Sequence, residues 1–117
     1  MTSHSSSVPA KVLSPELSDL AARLWAARQG GGTVDADAVP GPQSAAEAYG
    51  VQLEIIRLAG GEVAGFKVGS TSREAQLKLG TTEPGSCPVP AAFTLQSPAA
   101  FDADPAHHPA VEGEFAL

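Results

Sequence analysis

Glu62-Val63-Ala64-Gly65-Phe66-Lys67-Val68, followed at once by Gly69-Ser70-Thr71-Ser72-Arg73-Glu74, is the stretch on which the fold class turns. Its first seven residues are short, bounded by glycine and rich in β-formers, which predicts a strand. Thr71-Ser72-Arg73-Glu74 then reads as a capping box that opens a short helix, and Gly80 terminates it. Upstream the pattern is helical. Ser14-Pro15-Glu16 has the order of a helix start: a capping hydroxyl, a proline whose missing N–H costs nothing, and an acid at the positive end. Leu17, Leu20, Ala21, Leu24 and Trp25 recur at helical spacing, Arg23 and Arg28 fall late, and Gly30-Gly31-Gly32 ends the segment. After a Gly/Pro/Asp loop over 30–43, Ser44-Ala45-Ala46-Glu47 is a second capping box. It predicts a helix to about Ala59, with Ala48, Val51, Ile55 and Leu58 on one stripe and Tyr49, Leu53 and Ile56 widening it.

Downstream of Thr81 the helical period disappears. Pro84, Pro88, Pro90, Pro98, Pro105 and Pro109 punctuate short extended pieces, of which Ala91–Gln96 and Val111–Leu117 are expected to be strands. The organisation that follows is a Ser-rich flexible leader over 1–13, a helical part with one strand over 14–80, and the start of a β-rich part over 81–117. A strand that runs to Leu117 without a turn or partner predicts an incomplete β-part whose unpaired edges invite association. The class is α+β.

Composition bounds the function. The 117 residues carry 7 Lys+Arg against 13 Asp+Glu, a net charge of -6 that argues against a nucleic-acid or anionic-membrane partner. Aromatic content of 5% with 12 Gly and 10 Pro predicts a thin core. No apolar run reaches the roughly 18 residues of a membrane span, and the first residues lack the pattern of a secretory signal. The one cysteine, Cys87, can form no internal disulfide. A cytoplasmic location is the expectation.

Three groups of residues could carry chemistry. In a strand, Glu112 and Glu114 would stand on one face, where two like charges are best reconciled by a hard cation such as Mg²⁺ or Mn²⁺. The alternative is a solvated strand face. Lys67, alone between apolar neighbours and glycines, is either directed at an anionic substrate or a plain exposed strand lysine. Ser70-Thr71-Ser72 sits at a helix start, where N–H groups favour an anion or are simply capped. His107-His108 reads as surface loop, and Cys87 lacks a nearby histidine to activate it.

The order of segments resembles a known family. An N-terminal helix with Leu24-Trp25 is followed by Ser44-x-x-Glu47-Ala48-Tyr49-x-Val51-Gln52 and Gly65-Phe66-Lys67-Val68-Gly69-Ser70-Thr71-Ser72. Leu79-Gly80-x-x-Glu83-Pro84 and Val111-Glu112-Gly113-Glu114-Phe115-Ala116-Leu117 complete the series. This resembles the N-terminal half of the 2-keto-4-pentenoate hydratase (2-hydroxypentadienoic acid hydratase) group of the fumarylacetoacetate hydrolase superfamily, over about residues 14–117. The resemblance implies helices beside the opening strands of a mixed β-barrel or roll, and a homo-oligomer when the protein is full length. It implies a Mg²⁺ or Mn²⁺ ion on Glu112 and Glu114 with a third acid further on, and Lys67 near a 2-oxo or 2-hydroxydienoic acid substrate. The activity implied is hydration of 2-hydroxypenta-2,4-dienoate-type acids in aromatic catabolism. Alanines at Ala91-Ala92, where the hydratases carry an acid, leave a 2-oxo acid decarboxylase or an acylpyruvate hydrolase as alternatives, with a catalytically inactive truncated fragment as a third.

Overall fold

The computed structural model describes residues 12–117; the leader expected over 1–13 falls outside them except for Val12 and Leu13. The first helix, α1 (Pro15–Ala26), starts as its sequence dictates. The Ser14 hydroxyl accepts from the Leu17 N–H at 3.3 Å, and Pro15 fills the first turn. A wide turn over Ala27–Gly31 ends it, with Gly30 at φ 112°, a left-handed value that glycine adopts without strain.

The second helix, α2 (Ala45–Leu58), is capped by Ser44, whose hydroxyl accepts from the Glu47 N–H at 3.2 Å. The return arm of the box lands one residue early: the Glu47 carboxylate accepts from the N–H of Gln43, at 2.7 Å. At its far end Gly60 takes φ 108° and the Gly61 N–H reaches back to the Ile56 carbonyl, closing the helix.

α1 and α2 bury one face against each other. Leu17, Leu20, Ala21 and Val51 form the buried cluster, with Leu13, Val34, Val39 and Ile55 packed against it, and Ile56 is buried outside it. Complete burial of a large aliphatic side chain contributes about 1.5–3 kcal/mol, so so few of them make a modest core. The radius of gyration, 16.1 Å, exceeds the value of about 13 Å expected of a tightly packed chain this long.

A two-stranded antiparallel sheet leans on the helices. β1 (Val63–Gly69) and β2 (Gly85–Pro90) pair with Lys67 opposite Cys87, and Ala64 forms a bulge between Val63 and Gly65. The short helix α3 (Arg73–Leu79) joins them. Its cap is Ser72, accepting from the Ala75 N–H at 3.1 Å, rather than Thr71, so the expected box with Glu74 does not form. Gly80, at φ 68°, ends it as the spacing predicts.

Three expectations for the C-terminal part are corrected. Ala91–Phe93 is a 3₁₀ turn, not the start of a strand, and Val111–Leu117 belongs to no strand. The strand that does form, Gly85–Pro90, was hidden by its prolines. Proline is tolerated there because alternate residues of a paired strand direct their N–H away from the partner. The Ala91 N–H donates inward to the Glu62 carbonyl at 2.9 Å, which by alternation turns positions 86, 88 and 90 outward. Pro88 and Pro90 occupy two of these, and the third, the Ser86 N–H, donates to the Tyr49 hydroxyl at 3.3 Å. A mixed barrel or roll needs more strands than this sheet has.

The remaining chain holds one further 3₁₀ turn, Pro105–His107, with the Asp104 carboxylate capping the Ala106 N–H. It is tied to the loop after α1: His107 Nε2 donates to the Gly32 carbonyl at 2.7 Å. Beyond it the chain has no regular secondary structure and is exposed to Leu117. No described helix is long and apolar enough to cross a membrane.

Candidate functional site: the Lys67 cleft

Side chains of a strand alternate between faces. In β1 this separates Lys67, with Gly65 and Gly69, from Phe66 and Val68. Phe66 and Val68 point to open solvent, at 74% and 60% exposure, while Lys67 lines a cleft of about 570 Å³ between the sheet and the two long helices. From α1 and the turn after it the cleft receives Leu24 and Arg28; from α2, Gln52, Ile55 and Ile56. Cys87, Val89 and Phe93 complete the wall from the β2 side.

Arg28 is held at the cleft by an aromatic platform. Its guanidinium carbon lies 4.4 Å from the centre of the Phe93 ring, within cation–π range. Trp25, one helical turn before Arg28, braces the same ring at 5.9 Å between centroids. The glycines flanking Lys67 leave its side of the strand free of competing side chains. Among the described residues neither Lys67 nor Arg28 is engaged in an ion pair. Two unpaired cations on one concave, largely apolar wall attract a carboxylate.

Gln52 adds a third polar group. Its side-chain oxygen is buried and has no hydrogen-bond donor, a state that ordinarily costs about 1–3 kcal/mol. The oxygen is shut off from the cleft space, so what the cleft offers an acid is its two cations. Cys87 is half-buried in the wall with its sulfur 3.3 Å from the Pro88 carbonyl, and no histidine lines the cleft to activate it.

Glu112 and Glu114 are elsewhere in character. Both are exposed, both lie in the irregular segment after Pro109, and neither lines the cleft. Their expected place on one face of a formed strand is not met, because Val111–Leu117 has no strand partner. Two carboxylates are the right donors for a hard cation, which takes about six oxygens. Among the described residues no group of three or more His, Cys, Asp or Glu side chains is assembled around them. Ser70, at φ 54°, and Ser72 stand at the start of α3, where Ser72 acts as its cap and the Ser70 carbonyl accepts from the Gln76 side chain.

A second cleft of about 590 Å³ lies between the start of α2 and the loop from Leu79 to Gly85, but Glu83 is its one charged lining residue. It offers no cation for an acid. Arg28, Gln52 and Phe93 were not singled out by the sequence as site residues. They are far apart in the chain, and Gln52 enters the sequence reading only as the last residue of the motif over 44–52, with no role given to it. No family model, curated protein or solved structure matches the chain.

Proposed function

We propose that this chain is the N-terminal part of a hydro-lyase acting on 2-hydroxypenta-2,4-dienoate or 2-oxopent-4-enoate-type acids, of the 2-keto-4-pentenoate hydratase group. The same reading takes the β1–β2 pair as the opening of a mixed β-barrel or roll. The observation that carries it is the Lys67 cleft, where Lys67 and Arg28 border an apolar wall. A short dienoic acid has the matching parts: a carboxylate and an apolar tail.

In this reading Lys67 and Arg28 neutralise the carboxylate, each charge-assisted contact contributing about 1.5–3 kcal/mol where water is excluded. The two cations on one side of an apolar wall fix which end of the acid enters. Leu24, Ile55 and Phe93 keep water from the diene. Lys67 also stabilises negative charge that develops on the 2-oxygen as the enol becomes the oxo acid. Mg²⁺ or Mn²⁺, bound through Glu112 and Glu114 with another acid, would supply Lewis acidity; no step above depends on it.

Binding is followed through Trp25, which braces the cleft wall. Titration with 2-oxopent-4-enoate should change its fluorescence, and Lys67→Ala should weaken the response at least about tenfold, equal to about 1.4 kcal/mol. No response from the native chain, or equal affinity in Lys67→Ala, overturns the reading. Turnover to a hydrated oxo acid supports the hydratase, and release of CO₂ the decarboxylase alternative.

The exposed placement of Glu112 and Glu114 favours a second reading, a chain without catalysis of its own. It predicts that Mn²⁺ leaves the melting temperature unchanged and that Glu112→Gln with Glu114→Gln is silent. A Mn²⁺-dependent rise abolished by that double substitution refutes it.

A further inference from the structure

The sheet has one closed edge and one open edge. On β2 the outward positions present a bonded N–H at Ser86 and no N–H at Pro88 or Pro90. On β1 the inward residues are Gly65, Lys67 and Gly69, opposite Val89, Cys87 and Gly85. By alternation Phe66 and Val68 direct both their N–H and C=O away from β2. Among the described residues nothing accepts from or donates to them. That edge is a template for another strand.

The chain carries a segment whose alternation fits the template. Val111, Phe115 and Leu117 are apolar and wholly exposed, at 99% or more, and Glu112 and Glu114 alternate with them. Residues directly opposite in a ladder share a face. In one antiparallel register Phe115 falls beside Phe66, Gly113 beside Val68 and Glu114 beside Lys67. The apolar side chains then extend the exposed Phe66/Val68 face and the acids join the face that carries Lys67. A shift by one residue would place both acids on the apolar face, so the alternation excludes it. In this register Phe66 and Val68 each exchange two hydrogen bonds with the incoming strand, while Lys67 and Glu114 form the closer, non-hydrogen-bonded pair.

The segment's own molecule leaves it unused. After the His107 bond to Gly32 the chain runs exposed to Leu117, without packing on its own sheet. We propose that residues 111–117 of one copy add as a third strand to the β1 edge of a second copy, and that the exchange is reciprocal. It rests on strand geometry and charge, and it engages Lys67 and Glu114, the side chains that the hydratase reading gives to the substrate and the metal.

The test is the solution mass of the 117-residue chain by light scattering at submillimolar concentration. A dimer of twice the chain mass is expected. Phe115→Pro, which removes the N–H that would bond the Phe66 carbonyl, should halve the mass while leaving the far-ultraviolet circular dichroism of the helices unchanged. Lys67→Glu should also yield monomer, and Lys67→Glu with Glu114→Lys should restore the dimer. A native monomer overturns the proposal, as does a dimer that survives Phe115→Pro. Failure of the double charge reversal to restore the mass overturns the register. Phe115→Pro leaves every cleft residue in place, so loss of the dimer in that variant is read separately from the Lys67 ligand titration.

Discussion

Leu20→Ala is the most informative single change to the scaffold. Leu20 is 8% exposed, on the face of α1 that meets Val51. Truncation removes three carbons from the core, at about 0.8 kcal/mol each, or about 2.4 kcal/mol of transfer free energy. The space left behind adds to this to the extent that the helices fail to close on it, giving about 2.5–3.5 kcal/mol. Alanine's better helix propensity returns only a few tenths of a kcal/mol. Leu53→Ala in α2 is the control, with the same atoms removed from a side chain 62% exposed. It should cost under about 1 kcal/mol. Urea unfolding followed at the helix band separates them: with a slope of about 1–3 kcal/mol per molar, Leu20→Ala lowers the midpoint by roughly 1–3 M. Equal losses from the two variants would refute the assignment of the core to the α1–α2 face.

Three further outcomes follow from local geometry. Ser72→Ala removes the acceptor for the Ala75 N–H and should cost α3 about 1 kcal/mol, seen as faster hydrogen exchange at Ala75. Tyr49→Phe frees the Ser86 N–H, so that amide should exchange faster while global stability falls by less than about 1.5 kcal/mol. Glu54 is held below its ordinary value of 4.5, first by its hydrogen bond from Arg57 and then by the charge of that guanidinium. A depressed carboxylate stabilises the fold above its unfolded value and stops doing so as pH falls through its folded value. The melting temperature should therefore lose a small increment on acidification past 4.5, and Glu54→Gln should flatten that part of the profile.

Local chemistry was the legible part of the sequence. Ser14-Pro15, Ser44 and the glycines at 60 and 80 mark helix ends because caps act within one turn, and the structure keeps each of them. The strand around Lys67 is legible for the same reason. Gly85–Pro90 was not, because prolines count against a strand until the partner's position shows which of its amides need none. Val111–Leu117 fails in the opposite sense: it has the alternation of a strand, but a strand is made by its partner and none is paired to it here. That Arg28, Gln52 and Lys67 line one cleft depends on the packing of α1, α2 and the sheet, which no spacing encodes.

Tyr49 and the two prolines of β2 also set a limit on growth. Fibrillar cross-β stacking requires that every layer offer an edge above and an edge below. A sheet that has used or lacks its amide donors along one side can accept a strand but cannot pass the pairing on through that side. Any assembly that begins at Phe66 and Val68 therefore meets a stop at Ser86–Pro90. A chain whose core is thin is in this way protected from the continuous edge-to-edge pairing that its exposed apolar strand would otherwise seed.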